Sequence, residues 1–377
     1  MAPRIILAPD KFKGSLTARQ VADAVGEGIR RVRPDASITW VPVADGGEGT
    51  VDAAVAAGFE PCEVEVTGPT GEEVRTSFAH NGSVAVVEAA AACGLYQLPG
   101  GVLAPLTATS RGVGELILAA LDTGCRTVVL GVGGSACTDG GAGLVAALGA
   151  SLLDADGREV GPGGGSLIDI AHLDLHRIDP RIRDADLVLA SDVDNPLLGI
   201  HGAATIFGPQ KGASAGEVAA LEAGLTHWAR LVAQHTGLDV ADRPGAGAAG
   251  GIGFAALAVL GARRSGGIDV LLDLVGFDHV VRDADLVVTG EGSLDTQTLH
   301  GKAPVGVADR AARAGVRTIA VAGRQLLDAD QLRTAGFAAA YPLTDLEPDL
   351  RRCQSEAAAL LRQQGERIAR EQLAATP

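Results

Sequence analysis

The 377-residue chain carries a formal net charge of -15 at pH 7, with 31 Lys and Arg against 46 Asp and Glu. This charge argues against a general nucleic-acid-binding or anionic-membrane-binding surface. Hydrophobic residues make up 47% of the chain but aromatic residues only 3%, which predicts cores of Ala, Val, Leu and Ile, as in parallel sheets covered by helices. The length predicts two domains. Five scattered cysteines without a CxxC pair support neither a zinc site nor a disulfide framework.

The N-terminal region predicts a β-strand followed directly by a helix. Residues 5–8 are an apolar run, and apolar residues at positions 21, 25, 29 and 32 share one face of a helix predicted over 17–32. No charged segment followed by an apolar one precedes the strand, and no apolar stretch is long and clean enough to cross a bilayer. We therefore expect a cytoplasmic protein without a membrane partner.

Further along the chain, apolar runs alternate with helical patterns, which predicts an α/β fold. The predicted strands cover residues 38–43, 84–87, 127–132, 187–190, 286–289 and 318–322. Residues 62–78 alternate around Gly68-Pro69-Thr70-Gly71, which predicts a hairpin or a crossing into another domain, and we place a domain boundary there. A long amphipathic helix is predicted from residue 348 onward.

Two loops near the N-terminus carry residues suited to binding an anion or a metal ion. In open α/β sheets, ligands bind beyond the carboxyl ends of the strands. The loop after the first strand offers Lys11, Lys13 and Ser15. Alternatively, the lysines are solvated and Ser15 or Thr17 caps the helix. The loop after the second strand offers Asp45, Gly46, Gly47 and Glu48. This group predicts a substrate or metal contact or, alternatively, a turn with capping acids.

A third, glycine-rich loop covers residues 131–141 and leads into an apolar helix. Its backbone N–H groups could cradle a phosphate. The candidate ligand-binding residues in this loop are Gly133, Gly134, Ser135 and Asp139. The loop lacks the lysine of a Walker A sequence, and the chain contains no GxxxxGK[ST] match.

The fourth and fifth loops follow two strands that open with the same Arg-Asp-Ala-Asp-Leu-Val segment, at positions 183 and 282. The fourth loop carries Asp192, Asp194 and Asn195. The fifth loop carries Gly290, Glu291, Asp295 and, further on, Lys302. Carboxylates in such loops suit a hard cation or the removal of a hydroxyl proton, although Asp and Asn also cap helices routinely.

Five sequence blocks at these loops resemble the signature blocks of bacterial glycerate kinases of the glyoxylate/glucarate pathway type. The blocks are DKFKGSLTA (10–18), ADGGEGT (44–50), GGSACTDGG (133–141), SDVDNPL (191–197) and TGEGSLDTQTLHGK (289–302). They occur in order over almost the whole chain. The resemblance implies a Rossmann-like three-layer domain formed by residues 1–70 with 284–377, an inserted α/β domain of residues 71–283, and a ligand cleft between the two.

The same resemblance implies an ATP-dependent kinase that phosphorylates D-glycerate with the help of Mg²⁺. It favours 2-phosphoglycerate as the product, and the 3-phosphoglycerate-forming reaction stays open as an alternative. We expect a monomer or a homodimer that has no nucleic-acid partner.

Within that reaction we assign three groups of residues. The predicted catalytic residues are Asp192, Asp295 and Lys13. The predicted metal ligands are Asp192, Asp295 and Glu291, and the choice between base and metal ligand is left open. The predicted substrate- or nucleotide-binding residues are Lys11, Ser15, Asp45, Gly46, Gly47, Glu48, Gly133, Gly134, Ser135, Asp139, Asn195, Gly290, Glu291 and Lys302.

Two other classes of function have weaker support. An NAD-linked hydroxy-acid dehydrogenase needs a glycine fingerprint directly after a strand. The first strand has none, and the GxGxxG match at 245–250 follows Arg243-Pro244 instead. A sugar-acid sensor that regulates transcription would need a basic DNA-binding segment, which this acidic chain lacks.

Overall fold

The computed structural model describes residues 2–44 and 46–373. These residues divide into two compact units. The first unit contains the described residues up to Ala44 and from Ile268 onward, and the second contains Gly46–Gly267. No helix among the described residues combines the length and the apolar character that crossing a bilayer requires.

Within the described residues there are thirteen strands and fifteen α-helices. The strands are β1 (Arg4–Pro9), β2 (Ser37–Trp40), β3 (Glu60–Thr67), β4 (Glu73–His80), β5 (Val84–Glu88), β6 (Thr127–Gly131), β7 (Ser151–Leu153), β8 (His172–Asp174), β9 (Asp186–Ala190), β10 (Arg263–Ser265), β11 (Leu286–Leu294), β12 (Thr318–Gln325) and β13 (Phe337–Pro342). The helices are α1 (Ala18–Val32), α2 (Thr50–Ala56), α3 (Ala89–Cys93), α4 (Arg111–Asp122), α5 (Ala142–Ala147), α6 (Arg181–Asp184), α7 (Ala203–Phe207), α8 (Ala215–Thr236), α9 (Ile252–Ala258), α10 (Gly267–Leu274), α11 (Phe277–Val281), α12 (Ala303–Arg313), α13 (Ala329–Thr334), α14 (Leu350–Ser355) and α15 (Ala357–Gln372).

The first unit is built on a five-stranded parallel sheet with the order β13-β12-β11-β1-β2. Counted along the chain within this unit, the order reads 2-1-3-4-5, which is one of the two common orders of doubly wound α/β folds. The order reverses between β1 and β11, where Ala8 is in register with Thr289. A ligand crevice is therefore expected beyond the carboxyl ends of these two strands.

Helices cover both faces of this sheet, so the first unit has three layers. Ile5 and Leu7 of β1 belong to a buried cluster with α1 and α15, whereas Ile6 and Ala8 belong to a second cluster with α10, α11 and α12. The alternation follows from the two-residue period of a strand, which sends successive side chains to opposite faces. A Cβ atom on Gly28 would lie 2.0 Å from the carbonyl oxygen of Arg362, so α1 and α15 pack backbone against backbone.

The second unit contains a six-stranded mixed sheet with the order β10-β9-β6-β5-β4-β3. Strands β10, β9, β6 and β5 are parallel, and β4 and β3 continue the sheet in antiparallel fashion. The carboxyl ends of the four parallel strands therefore share one edge. Strands β7 and β8 form a separate two-stranded sheet.

The α/β fold class predicted from the sequence is confirmed, and the predicted strands appear as β2, β5, β6, β9, β11 and β12. The alternating segment 62–78 is the β3–β4 hairpin. The units differ from the predicted domains in their limits, because the predicted boundary after residue 70 falls in the turn of that hairpin. Since β4 pairs with β5 through Ala79 and Val86, the hairpin lies inside the second unit.

Candidate active site

In the first unit, the structure brings together two of the predicted loops, those that follow β1 and β11. The backbone N–H of Asp10 donates to the carbonyl oxygen of Gly290 at 2.8 Å. A Cβ atom on Gly292 would lie 3.6 Å from the backbone nitrogen of Lys13. Lys11 and Lys13 thus belong to the edge of the sheet where the strand order reverses, and Lys13 is exposed there.

Glu291, in the second half of β11, is 8% exposed and is held by two partners. The Thr298 hydroxyl donates to its Oε1 at 2.6 Å, and the Lys302 ammonium donates to its Oε2 at 3.2 Å. Burial raises the pKa of Glu291, and the contacts with Thr298 and Lys302 oppose this rise. The structure therefore places Lys302 beside a buried carboxylate, at the start of α12.

Asp295 lies in the same loop and is less buried. Its Oδ1 accepts from the backbone N–H of Gln297 at 2.9 Å, and its Oδ2 accepts from the Ser293 hydroxyl at 3.1 Å. Burial works to raise the pKa of Asp295, but these hydrogen bonds and the charge of Lys302 outweigh it, and the net shift is downward. Asp295 is thus held as a carboxylate that can still accept contacts from a cation.

Arg324, at the carboxyl end of β12, joins this loop and was missed by the sequence analysis. Its guanidinium donates through Nε to the Ser293 hydroxyl oxygen at 3.1 Å, and its side chain is exposed. Arg324 is in register with Ser293 on the neighbouring strand. The signal in the sequence is its position directly after a buried apolar strand, the same criterion that selected Lys11 and Lys13.

Two predicted ligand-binding residues of the first unit make close contacts within the protein. The Ser15 hydroxyl donates to the carbonyl oxygen of Gln354 at 2.7 Å, which joins the β1 loop to α14. A Cβ atom on Gly290 would lie 2.0 Å from the carbonyl oxygen of Val321. Gly290 is thus explained by the close approach of β12 and does not require a ligand.

In the second unit, the predicted second and third loops pack against each other through their glycines. A Cβ atom on Gly131 would lie 2.6 Å from the carbonyl oxygen of Gly46, and one on Gly133 would lie 2.6 Å from the Cα of Gly47. Backbone contact between the loops therefore accounts for these glycines. Glu48 is exposed at the end of the second loop. The predicted residue Asp45 lies outside the described residues.

Asp139 of the third loop is a structural carboxylate. It is 1% exposed, and its Oδ2 accepts from the backbone N–H and the hydroxyl of Ser110, both at 2.8 Å. Gly141 and Gly143 also donate backbone N–H groups to it, at 3.1 and 3.2 Å. These bonds tie the third loop to the start of α4 and leave the carboxylate buried, so Asp139 has no part in the ligand contacts proposed below.

In the rest of the third loop, Gly134 is exposed, whereas Ser135 and the residues that follow it are buried. Gly134 adopts φ 72°, a left-handed conformation that favours glycine. The Cys137 thiol points into the core, 3.7 Å from the Cys93 sulfur. Its contact with Cys93 and its burial raise the pKa of Cys137 well above the usual range, so this thiol stays protonated.

Asp192 lies just past β9 and is half-buried. Its Oδ1 accepts from the backbone N–H of Gly267 at 2.9 Å. Asp194, two residues on, is exposed, and its Oδ1 accepts from the Arg264 guanidinium at 2.7 Å. Asn195 donates its side-chain N–H to the carbonyl oxygen of His201 at 2.8 Å, so it shapes the loop. Asp192 is thus positioned by a backbone contact on one oxygen.

Two buried charged residues of the second unit were missed by the sequence analysis. Glu88, at the end of β5, accepts from the backbone N–H groups of Gly49 and Val51 and so holds the start of α2. Lys211 is 3% exposed, and its ammonium donates to the Ser135 hydroxyl at 3.1 Å and to the carbonyl oxygen of Cys137. What distinguishes Lys211 in the sequence is the scarcity of lysine. Only four of the 31 Lys and Arg residues are lysines, namely Lys11, Lys13, Lys211 and Lys302.

No preformed metal centre exists in the described part of the chain, where no three His, Cys, Asp or Glu side chains are grouped as a metal-binding set. Mg²⁺ in kinase sites is commonly held by one or two carboxylates together with substrate phosphates and water. Asp295, ionised and half-buried, fits that role better than Glu291, whose two oxygens already accept from Thr298 and Lys302.

A doubly wound α/β unit with lysines, an arginine and an ionised aspartate at its switch point has the parts of a small-molecule phosphotransferase. Comparison with known proteins identifies the class more closely. The sequence profile of the glycerate kinase family matches residues 5–373. The chain is 46% identical over 342 residues to glycerate 2-kinase of Escherichia coli (strain K12), covering 90% of each chain.

Two further comparisons agree. The chain is 47% identical over 343 residues to glycerate kinase of Bacillus subtilis (strain 168), again covering 90% of each chain. A crystal structure of a Salmonella typhimurium LT2 protein proposed as glycerate kinase 2 has a TM-score of 0.86 and 42% identity, with 99% of each chain covered. The chain therefore belongs to the glycerate kinase family, and it is a kinase.

Proposed function

We propose that this kinase transfers the γ-phosphoryl group of ATP to the C2 hydroxyl of D-glycerate, forming 2-phosphoglycerate and ADP. The observation that carries the proposal is the match over 90% of both chains to a relative named glycerate 2-kinase. In the reaction, the hydroxyl oxygen forms a bond to the γ-phosphorus. The bond from that phosphorus to the β–γ bridging oxygen breaks, and ADP leaves with its electron pair.

The cations of the first unit are proposed to bind the anionic parts of the substrates. Lys11, Lys13 and Lys302 lie in the segments after β1 and β11, and Arg324 lies near the end of the neighbouring strand β12, so all four belong to the carboxyl edge of one parallel sheet. Phosphoryl transfer depends on positioning and on stabilising charge spread over the phosphoryl oxygens. Lys302 also keeps the buried Glu291 compensated, because its ammonium lies 3.2 Å from that carboxylate.

Asp295 is the proposed protein ligand for Mg²⁺ in this unit. Its depressed pKa keeps the carboxylate ionised, which a hard cation requires of its ligands. Mg²⁺ bound with the nucleotide would supply the charge neutralisation that the few basic side chains of this acidic chain do not provide. Asp295 would then orient the triphosphate through the shared cation.

In the second unit, Asp192 is proposed to accept the proton of the attacking hydroxyl. One of its oxygens accepts from the Gly267 N–H at 2.9 Å, so a backbone contact helps to orient the carboxylate. The backbone of Gly133 and Gly134 and the Ser135 hydroxyl are proposed to contact an anionic group of a substrate, since Gly134 is exposed and Gly133 is partly exposed.

The proposed reaction is tested by measuring ADP release with ATP, Mg²⁺ and D-glycerate, and by identifying the product with ³¹P and ¹³C NMR. In the proton-coupled ³¹P spectrum, a doublet from the single proton on C2 is the expected result. L-Glycerate serves as the stereochemical control. A triplet from the two protons on C3 would establish the 3-phosphoglycerate-forming alternative, and no ADP release with D-glycerate would refute the proposal.

A further inference from the structure

The most unusual charged residue of the second unit is Lys211, a lysine buried beside the glycine-rich loop. It ends the short 3₁₀ helix Pro209–Lys211, and Gly212 follows with φ 94°, which turns the chain away. The side chain is 3% exposed. Lysines are rarely buried to this extent unless their ammonium is paired or serves a function.

Its ammonium is bound by neutral oxygens only. Of its three N–H groups, one meets the Ser135 hydroxyl at 3.1 Å and one meets the carbonyl oxygen of Cys137. Among the described residues, no carboxylate lies within ion-pair distance of it. Burying a charge without a counter-charge costs free energy. Packing alone therefore does not explain why a lysine occupies this buried position.

Composition supports a specific role for this ammonium. Only four of the 31 Lys and Arg residues are lysines, so arginine supplies almost all of the positive charge of the chain. The other three, Lys11, Lys13 and Lys302, belong to loops at the carboxyl edge of the first sheet. A compact ammonium and a planar guanidinium are not interchangeable. In a chain whose positive charges are mostly arginines, a lysine therefore indicates a position that requires the smaller ammonium group.

The contact with Ser135 fixes the direction of a proton. A protonated lysine has no acceptor, so the Ser135 oxygen must accept from Lys211. The Ser135 hydroxyl proton is then turned away from Lys211, and in the described residues it meets no acceptor. A hydroxyl that receives a charged donor is also the stronger donor to a third group.

We propose that Lys211 is a positioning residue for substrate binding, whose buried ammonium holds Ser135 so that the hydroxyl donates to an anionic oxygen of a substrate. The chemistry of that oxygen is shared by the carboxylate of glycerate and the phosphoryl groups of ATP. The inference rests on the proposed function, in which Ser135 contacts an anionic group. It adds the residue that sets the direction of this contact.

The arrangement depends on the proton of Lys211. If the ammonium loses it, the nitrogen becomes an acceptor and the Ser135 hydroxyl can donate inward instead of to the substrate. Burial lowers the pKa of Lys211, and the nearby carboxylate of Asp139 opposes that shift. We therefore expect the KM of the affected substrate to rise at alkaline pH in the wild type, as Lys211 becomes neutral.

The test compares Lys211→Met, Ser135→Ala and the double variant in the full-length enzyme, with KM for ATP and for D-glycerate measured separately. Lys211→Met removes the ammonium and keeps an unbranched apolar side chain. Each single variant should raise one of the two KM values by about 10- to 100-fold, the range of a hydrogen bond to a charged group. The substrate whose KM rises identifies the anion.

Two features separate a positioning role from a structural one. The double variant should be no worse than the more impaired single variant, because both changes remove the same hydrogen bond. The alkaline rise in KM should also be absent from Lys211→Met. Arg181→Met is the matched control, since Arg181 pairs with Asp179 and Asp122 at the surface of the same unit.

Unchanged KM values for both substrates in Lys211→Met would overturn the inference, as would additive losses in the double variant. If Lys211→Met does not fold, Ser135→Ala decides alone, because it leaves the lysine in place, and wild-type KM values in that variant would overturn the inference. A wild type that fails to phosphorylate D-glycerate would refute the proposed function, and the inference with it. A wild type that turns over normally confines any failure to the inference.

Discussion

The role of Asp192 can be tested by a substitution that keeps its geometry and removes its basicity. In the wild type, the Gly267 N–H donates to Oδ1 of Asp192 at 2.9 Å. Asp192→Asn retains an Oδ1 that can accept the same hydrogen bond. The loop should therefore keep its shape. Because an amide cannot take up the hydroxyl proton at neutral pH, kcat should fall by about 10²–10⁴, the contribution of a positioned general base. This corresponds to about 2.7–5.4 kcal/mol in the activation free energy.

Two other variants show which property of Asp192 matters. Asp192→Ala also removes the acceptor for Gly267, so it should lower the free energy of unfolding by about 0.5–1.5 kcal/mol in addition to lowering kcat. Asp194→Asn is the matched control. Asp194 lies two residues away in the same loop, its side chain is 79% exposed, and its partner is Arg264. It should keep kcat within a few-fold of the wild type.

The assay is steady-state ADP release at saturating ATP and D-glycerate, with urea unfolding of each variant measured in parallel. In Asp192→Asn, kcat should fall while KM for ATP changes little. A kcat within a few-fold of the wild type would refute the reasoning and leave Asp192 as a carboxylate that shapes its loop. If raising Mg²⁺ restored kcat, Asp192 would be a metal ligand, and Asp295 would become the candidate base.

Three further predictions follow from the contacts of individual residues. Asp139→Asn should lower the free energy of unfolding on the order of 3 kcal/mol in urea, because an amide cannot accept from Ser110, Gly141 and Gly143 together; unchanged stability would contradict the structural role. Lys13→Ala should lower kcat/KM by an amount that corresponds to about 1.5–3 kcal/mol of lost transition-state stabilisation. Arg19→Ala, which removes a surface ion pair with Asp23, should leave kcat/KM unchanged. Asp295 has a depressed pKa, so its stabilising contribution is present above its ordinary value of 3.8 and is lost as pH falls through the lower folded-state value; the stability difference between wild type and Asp295→Asn should shrink on acidification, and a constant difference would exclude this linkage.

Most of the strands could be predicted from the sequence, because short apolar runs such as those of β6 and β9 report burial on both faces of a sheet. The limits of the two units could not be predicted in the same way. Alternation over 62–78 predicts a hairpin, but nothing local reveals that β4 pairs with β5 and so belongs to the second sheet. Pairing between strands is decided by contacts that are distant in sequence.

The candidate site shows the same division. Loops rich in glycine and acids after strands could be recognised one by one, and the structure brings the β1 and β11 loops together. The function of individual residues within them was harder to predict. Gly131 is small because Gly46 approaches it, and Asp139 is buried because Ser110 donates to it from another element. Lys211 lies in a segment that follows no strand, so its position along the chain does not mark it as a candidate site residue.

The distribution of charge explains how so acidic a chain can bind anionic substrates. Many of its arginines are occupied by surface carboxylates, as Arg310 is by Asp269, Asp273 and Asp278. Such pairs contribute little positive potential, since the opposite charges largely cancel at a distance. Lys13 and Arg324, by contrast, are exposed at the carboxyl edge of a parallel sheet and have no ion pair within the described ranges. Lys13 and Arg324 therefore supply uncompensated positive charge at the edge where the phosphate contacts are proposed, although the chain as a whole carries a net charge of -15.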